Sequence, residues 1–207
     1  MCGRTCCTLS PNELKKACKP KCVDDTAPET EYRDEFNLGK QYGKRCVIPI
    51  EGFYEWQTIS QDLKPSQRKV YFIYMPQEEN IKIAVRSTWN SSNVNLMYMA
   101  GLFDVWHDSN GDSIYSFTVL TFESNEKLQW LHSRTPAILE TQEQIDIWLD
   151  YQKYPKEEAL KVIKQPTEII WHQVSNSVNN GKNKNENFKK PLDGINSFFT
   201  IKGIKGT

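Results

Sequence analysis

Cys2 would carry the most distinctive chemistry in this sequence if Met1 is removed. Its free α-amine and its thiol would then lie on adjacent carbons, and both are partly deprotonated at neutral pH, since their pKa values are about 8 and about 8.5. The amine can condense with an aldehyde to an imine, and the thiol can close on the imine carbon to give a thiazolidine. Gly3 removes bulk beside this nucleophile, and Arg4 adds a permanent cation suited to a phosphate. Most proteins that begin with Met-Cys make no use of the cysteine. Other residues of the chain must therefore decide whether Cys2 is a nucleophile or an ordinary residue.

Glu55 is a candidate proton carrier, because it lies between large aromatic residues on a predicted strand. Strand alternation places Tyr54 and Trp56 on one face and Phe53 and Glu55 on the other. A carboxylate on an apolar face has a raised pKa and can transfer protons near neutral pH. A single Glu in a strand more often faces solvent at an edge, and that alternative stays open.

His132 is a second candidate, at the end of a predicted short helix in the segment Leu-His-Ser-Arg-Thr-Pro. Arg134 follows two residues later, and Pro136 stiffens the turn. This composition suits a loop that faces an anion and contains a proton carrier. The other histidines, His107 in a predicted hairpin and His172 in a predicted strand, are assigned surface or structural roles.

A series of predicted strands must position these residues. Each is rich in β-branched or aromatic residues and is bounded by turn signals, and together they cover residues 45–50, 52–57, 69–75, 81–85, 96–106, 113–122 and 168–174. Pro49 indicates an edge or a bulge, and residues 108–111 (Asp-Ser-Asn-Gly) predict a hairpin turn. Helices are predicted to begin at Ser10, Ser124, Thr141 and Pro155. We expect an α+β fold, in which a mixed, mainly antiparallel sheet curls into a barrel-like core with the helices packed outside.

The composition bounds the class of protein. The chain has 207 residues, of which 38% are hydrophobic and 12% aromatic, so it is long enough for one domain with a real core. No apolar run approaches about 18 residues and no secretory signal is recognisable, so we expect an intracellular protein, nuclear if eukaryotic, without a membrane span. The formal net charge is zero, which gives no global argument for nucleic acid, although local lysine clusters permit DNA binding.

The six cysteines all lie within the first 46 residues and are expected to be reduced thiols. Cys18 and Cys22 are close enough in sequence to be considered as zinc ligands, but no second pair of ligands with the usual spacing supports a zinc site. We therefore expect neither a metal nor a cofactor.

Six blocks of this sequence resemble the signature blocks of the SRAP family, the SOS-response-associated peptidases, and they come in the family's order. They are Met-Cys-Gly-Arg at 1–4, Arg-Cys-Val-Ile-Pro-Ile-Glu-Gly-Phe-Tyr-Glu-Trp-Gln at 45–57, Ala-Gly-Leu-Phe-Asp-Val-Trp at 100–106, Ser-Phe-Thr-Val-Leu-Thr at 116–121, Leu-His-Ser-Arg-Thr-Pro-Ala-Ile-Leu at 131–139 and Val-Ser-Asn-Ser-Val-Asn-Asn at 174–180.

The resemblance implies that Cys2 reacts with the ring-opened aldehyde of an abasic site in single-stranded DNA and forms a thiazolidine crosslink. Glu55 matches the family's catalytic glutamate, which is expected to transfer protons during Met1 removal, imine formation and ring closure. His132 matches the family's active-site histidine, which assists ring opening and crosslink reversal. By the same resemblance, Arg4 and Arg134 are predicted to contact DNA, although Thr replaces the family's usual Met after Arg134.

The sequence departs from the family between residues 23 and 44, where two further blocks normally occur. Neither the Arg-Trp-Gly-Leu block nor the Asn-Ala-Arg block is present in this short, polar segment. An alternative function is therefore a non-catalytic DNA- or clamp-binding module of the same fold. An N-terminal-nucleophile hydrolase is a further alternative, but Arg4 and the His132 block weigh against it.

A second resemblance lies near the C-terminal end of the chain. Ile195, Phe198 and Phe199, followed by lysines, resemble the hydrophobic half of a peptide that binds the sliding clamp PCNA, with Leu192 in place of the usual leading Gln. A Phe-Phe pair that tucks onto the core is an equally good interpretation. We predict a single domain over residues 1–188, a basic tail over 189–207, and a monomer.

Overall fold

The described part of the chain consists mainly of antiparallel strands, with short helices beside them. The computed structural model describes residues 4–18, 44–58, 64, 67–179, 186–192 and 199–200. Within these residues the α-helices are α1 (Pro11–Ala17), α2 (Glu126–Gln129), α3 (Gln142–Leu149) and α4 (Lys156–Lys161). The strands are β1 (Arg4–Cys6), β2 (Arg45–Ile50), β3 (Gly52–Trp56), β4 (Val70–Tyr74), β5 (Met97–His107), β6 (Ser113–Val119), β7 (Thr121–Glu123), β8 (Arg134–Pro136), β9 (Ile138–Leu139), β10 (Ile170–Val174) and β11 (Phe199–Thr200).

These strands form two larger sheets and one two-stranded sheet. The first sheet has the order β1-β3-β4-β10-β11, the second has the order β2-β5-β6 with β9 also paired to β5, and the third pairs β7 with β8. Every pairing among the described strands is antiparallel. In the first sheet Arg4 lies opposite Tyr54, so β1 brings the beginning of the described chain alongside the strand that contains Glu55.

Three apolar clusters fill the spaces on either side of the two larger sheets. Alternation along β3 and β4 sends Tyr54 and Phe72 into one cluster, where Trp89 also packs, and Phe53 and Ile73 into a second. The second cluster also contains Met97 of β5, so it lies between the two sheets. A third cluster, centred on Trp148 of α3, covers the other face of β5.

The α+β class and most of the predicted elements are confirmed. The predicted helix starts at Ser10 and Thr141 are confirmed, and both are capping boxes, with the side chain of Ser10 accepting the Glu13 N–H and that of Thr141 accepting the Gln144 N–H. Pro49 lies in β2, which pairs only with β5 among the described strands and is therefore an edge. The predicted hairpin turn connects β5 to β6, with Gly111 at a φ of 86° that suits glycine.

The expectation of a single sheet curled into a barrel needs correction. The described strands separate into distinct sheets and do not close on themselves. The predicted strand over 81–85 is also wrong, because its backbone bonds are local: the Ile81 N–H donates to Glu78 O and the Val85 N–H donates to Lys82 O. Ile81 and Ile83 are both buried, so an irregular turn mimics the period-two pattern of a strand.

Two further predictions fail near residue 120. The strand predicted over 113–122 is divided into β6 and β7, because the Leu120 N–H turns to donate to Ala100 O. Ser124 was predicted to cap the next helix, but α2 begins at Glu126 and the backbone carbonyl of Asn125 accepts its first bonds. The hydroxyl of Ser124 is buried instead.

Contacts with the sheets continue beyond residue 188. Lys189 is buried and forms an ion pair with Glu51, and residues 199–200 pair with β10. The boundary at 188 stays a prediction. Of the clamp-binding motif, Ile195 and Phe198 lie outside the described residues, as does most of the 23–44 segment. In the part of the chain that the structure describes, no helix is long and apolar enough to cross a membrane.

Candidate active site

Glu55 is buried on β3, an interior strand of the first sheet, with only 3% of its surface exposed. The alternative of a solvent-facing edge residue is therefore wrong. Its Oε1 accepts the N–H of Trp56 at 3.2 Å, whereas Oε2 has no hydrogen-bond partner among the described residues. Burial raises the pKa of Glu55 to about 7, and the hydrogen bond from Trp56 opposes that rise only in part. The carboxyl group can therefore both accept and donate a proton near neutral pH.

The raised pKa has a visible cause in the surroundings of Glu55. On the same face of the sheet its cross-strand neighbour is Tyr71, whose ring packs edge-on against Trp130 at 5.0 Å between centroids. Burial also raises the pKa of Tyr71. The carboxylate is thus surrounded largely by aromatic and aliphatic surface, which disfavours its charged form.

His132 follows α2, and its backbone N–H donates to Leu128 O at 3.1 Å. Its ring Nδ1 accepts the backbone N–H of Arg134 at 2.9 Å. The same Nδ1 lies 3.1 Å from the Arg134 carbonyl oxygen, to which it donates in the other tautomer, so the backbone of Arg134 holds the ring in either tautomer and leaves Nε2 free of these two contacts. Burial lowers the pKa of His132, so the ring is neutral at neutral pH and can exchange a proton through Nε2.

Glu55 and His132 line the same small cavity. Its volume is about 10 Å³, which is room for about one water molecule. The cavity is formed by side chains from β3, β4, β8 and the α2 region, namely Phe53, Glu55, Ile73, Ser124, Leu128, Leu131, His132, Arg134 and Thr135. The fold thus brings two candidate proton carriers, far apart in sequence, to one mainly apolar space.

Arg134 lies at the rim of this cavity and is exposed. Its guanidinium is held by Thr121, with Nε donating to Oγ1 at 3.0 Å and NH2 donating to the carbonyl at 2.9 Å. Such a held cation can face a phosphate without losing much side-chain entropy. Its role in DNA binding stays a prediction.

Arg4 has a different environment from the one its predicted phosphate contact suggests. Its guanidinium donates to the carbonyls of Val178 and Asn179 in a 3₁₀ turn (Asn176–Asn179) and lies over the Trp56 ring at 5.8 Å. Trp56 in turn donates its indole N–H to Asn179 Oδ1 at 2.7 Å. Arg4 therefore fastens β1 to this turn, and its contact with DNA stays a prediction.

Cys2 lies outside the described residues. Of the cysteines that the structure describes, Cys6 and Cys46 are unsuited to act as nucleophiles. Burial raises the pKa of the Cys6 thiol to about 11 and that of Cys46 to about 12.

Sequence reasoning missed the role of Glu51. Like Glu55, it is a carboxylate within the largely apolar stretch that forms β2 and β3. It is fully buried, and its Oε1 accepts both the backbone N–H and the hydroxyl of Thr8, at 2.5 and 2.7 Å. Its Oε2 pairs with Lys189, which also lies 5.2 Å from the Trp89 ring centroid. We call Glu51, Thr8 and Lys189 the Glu51 cluster. It joins the segment after β1 to the start of β3.

A family model described as SOS response associated peptidase (SRAP) matches residues 39–181. The chain belongs to this family. The matched region includes β2 to β10 and therefore both Glu55 and His132.

Named relatives of this SRAP chain come from vertebrates and bacteria. It is 41% identical over 145 residues to "Abasic site processing protein HMCES" of Xenopus tropicalis, a match that covers 68% of this chain and 41% of that protein. It is 37% identical over 180 residues to the HMCES protein of Rattus norvegicus, covering 83% and 49%. It is 32% identical over 143 residues to "Abasic site processing protein YoqW" of Bacillus subtilis, covering 68% and 54%. The chain spans about half the length of these curated relatives.

The fold also resembles a solved structure. An X-ray structure of a protein from Bacteroides thetaiotaomicron superposes with a TM-score of 0.54 at 23% identity, covering 73% of this chain and 58% of that chain. This likeness supports the SRAP-like fold.

Proposed function

We propose that this protein crosslinks covalently through Cys2 to abasic sites in single-stranded DNA, forming a thiazolidine, and has an associated peptidase activity that removes Met1. The observation that carries the proposal is Glu55, a buried carboxyl group with a pKa of about 7 that shares a cavity with a neutral His132. The relatives named abasic site processing proteins support the choice of substrate.

Chain geometry supports Cys2 as the nucleophile. Two residues of extended chain span at most about 7 Å, so the Cα of Cys2 cannot lie further than that from the Cα of Arg4. Arg4 lies opposite Tyr54, the residue before Glu55 in β3. The end of β1 from which the sequence leads back to Cys2 therefore lies beside the strand residue that precedes Glu55.

The proposed crosslinking consumes one aldehyde and releases one water. The Cys2 amine attacks the aldehyde carbon, and Glu55 takes a proton from the nitrogen as the carbinolamine forms. Glu55 returns this proton to the aldehyde oxygen, which completes the carbinolamine hydroxyl, and then carries the second nitrogen proton to that hydroxyl, which leaves as water and gives the imine. The Cys2 sulfur adds to the imine carbon, and the thiol proton ends on the ring nitrogen. A group with a pKa near the working pH serves both directions of transfer.

His132 is assigned to the step before crosslinking. The sugar of an abasic site is mainly a closed hemiacetal, and it opens when the C1′ hydroxyl loses a proton while the ring oxygen gains one. A neutral imidazole can accept the first proton and supply the second, so the C1′–ring oxygen bond breaks and the aldehyde forms. The low pKa of His132 keeps it in the accepting form.

Removal of Met1 can use the same carboxyl group. Glu55 would take a proton from the water that attacks the Met1 carbonyl and give it to the departing amine of Cys2. This hydrolysis frees the amine that crosslinking needs, so one site would first prepare its nucleophile and then use it.

The test is to incubate the recombinant protein with a single-stranded oligonucleotide that contains one abasic site. We expect a species that survives SDS and whose intact mass equals the protein without Met1 plus the oligonucleotide minus one water. Cys2→Ala should abolish it, and Cys7→Ala, which removes an exposed thiol five residues away, should leave it unchanged. A crosslink that persists in Cys2→Ala, or one whose protein retains Met1, would overturn the mechanism.

A non-catalytic binding module is a second candidate function, because residues 23–44 lack the two blocks described above. Such a module would bind abasic and intact single strands with equal affinity and would give no SDS-resistant species. Affinity measurements on both oligonucleotides, beside the crosslinking assay, separate the two functions.

A further inference from the structure

Ser124 is a second buried polar group in the candidate active site, and the proposed mechanism does not use it. Only 3% of its surface is exposed, it lines the cavity that contains Glu55, and its Oγ has no hydrogen-bond partner among the described residues. Glu55 Oε2 is in the same condition in the same cavity. Buried hydroxyl and carboxyl oxygens are almost always hydrogen-bonded, so two unpaired ones that share a space call for an explanation.

The backbone of Ser124 is held on both sides. Its N–H donates to Ser133 O at 2.8 Å, and its carbonyl accepts Nε2 of Gln129 at 3.1 Å. A serine at the start of a helix usually turns its hydroxyl to the helix N–H groups. Here Asn125 occupies the position before α2, and Ser124 is instead one of the residues that line the cavity, with its hydroxyl buried and unpaired among the described residues.

We propose that Ser124 is a positioning residue, whose Oγ and Glu55 Oε2 together hold one water molecule that carries protons between Glu55 and the reacting group. The cavity has room for about one water molecule. Such a water can donate to Oε2 and accept from the Ser124 hydroxyl, which satisfies both unpaired oxygens. The inference rests on the proposed function, because it assigns the path of the proton in that reaction.

The proton path balances. As the carbinolamine oxygen takes a proton from the water, the water takes one from the Glu55 carboxyl group, so the water is regenerated and only the proton has moved. The reverse path carries a proton from the Cys2 nitrogen to the carboxylate. The serine hydroxyl stays intact and fixes the direction in which the water points.

Ser124→Ala tests this assignment. We expect the crosslinking rate at pH 7 to fall about tenfold, because the water loses the donor that orients it. The midpoint of the pH–rate profile should also move to higher pH, by about one unit, because the charged carboxylate loses a donor in its network. The titratable or charged side chains beside Glu55 are Tyr71 across the strand and His132 and Arg134 around the cavity, and none of them changes in this variant.

Ser133→Ala is the matched control, since it removes an exposed hydroxyl whose residue is bonded to Ser124 only through the backbone. It should have the rate and the pH profile of the unsubstituted protein. The melting temperature of Ser124→Ala should not fall, because its hydroxyl has no protein partner to lose.

A carboxyl-labelled NMR titration of Glu55 decides the proposal independently of activity. An unchanged Glu55 pKa in Ser124→Ala, or an unchanged crosslinking rate beside an active unsubstituted protein, would overturn the role of Ser124. If the unsubstituted protein does not crosslink at all, the proposed function fails, and the Glu55 titration still shows whether Ser124 acts on the carboxyl group.

Discussion

Burial of Glu55 destabilises its charged form and, for the same reason, lets its carboxyl group transfer protons near neutral pH. The apolar surroundings that remove its carboxyl group from water also set its pKa near 7. Strand alternation indicated the face on which Glu55 lies, next to Phe53. It did not indicate that α2 and β8 would cover this face, which decides the degree of burial.

Glu55→Gln should make the protein more stable at alkaline pH. The folded-state pKa of about 7 lies above the ordinary value of 4.5, so the folded protein keeps a proton that the unfolded chain loses. Stability of the unsubstituted protein therefore falls as the pH rises from about 4.5 to about 7, by up to about 3 kcal/mol. Glutamine carries no such penalty. Denaturant unfolding should give the two proteins similar free energies of unfolding at pH 4, whereas at pH 8 that of Glu55→Gln should be higher.

The control for this comparison is Glu123→Gln, the same change at an exposed residue of β7. It should leave the pH dependence of stability as it is. Crosslinking by Glu55→Gln should be greatly slowed at every pH. Equal stability of Glu55→Gln and the unsubstituted protein at pH 8 would contradict the raised pKa.

At the scale of elements, β1 depends on side chains that lie far from it in sequence. The Glu51 cluster bonds Thr8, just after β1, to a buried carboxylate that is neutralised by Lys189. Arg4 fastens the other end of β1 to residues 178 and 179. Both ends of β1 are therefore held by side-chain contacts to residues far along the chain.

Removing either partner of the buried ion pair should destabilise the protein strongly. Lys189→Met leaves the Glu51 carboxylate buried without its counter-charge, which costs about 3–5 kcal/mol for pairs of this kind. Glu51→Gln should cost a similar amount. The double variant should cost less than the sum of the two, and denaturant unfolding of all four proteins measures the coupling.

Lys44→Met is the matched control, because Lys44 pairs with Asp104 where both side chains are partly exposed. Its cost should be about 1 kcal/mol or less. Additive costs in the Glu51 and Lys189 cycle would contradict the buried pairing.

At the scale of the whole molecule, residues 186–192 are bonded to the first sheet and to the Glu51 cluster beside it. Lys189 enters the Glu51 cluster, its carbonyl accepts from His172 at 2.6 Å, and the Leu192 N–H donates to Gln173 O at 3.1 Å. Sequence composition suggested that the domain ends at 188, since the segment around it is rich in Asn and Lys.

A chain that ends at residue 192 should fold and crosslink like the full chain apart from losing the two-residue pairing of β11 with β10, whereas one that ends at 185 should melt about 10 °C lower. The estimate follows from the loss of the ion pair with Glu51, at about 2–4 °C for each kcal/mol in a chain of this size. Calorimetry of the full chain and of the two shortened chains measures these melting temperatures. The boundary proposed here fails if the two shortened chains melt at the same temperature.

The chain that ends at 192 also lacks Ile195, Phe198 and Phe199, so retention on a PCNA column by the full chain alone would support the clamp-binding motif.

The sequence by itself indicated most strands, the helix caps at Ser10 and Thr141 and the two candidate proton carriers, because alternation, turn residues and caps are local signals. The prediction of a strand failed at Ile81 and Ile83, which have the spacing of a strand but are buried by local turns. Only the tertiary structure decided which polar groups are buried together. Burial of Glu55, its shared cavity with His132 and Ser124, and the pairing of Glu51 with Lys189 all depend on contacts between residues far apart in the chain. No local pattern encodes those contacts, because the free energy that fixes them comes from packing whole elements against one another.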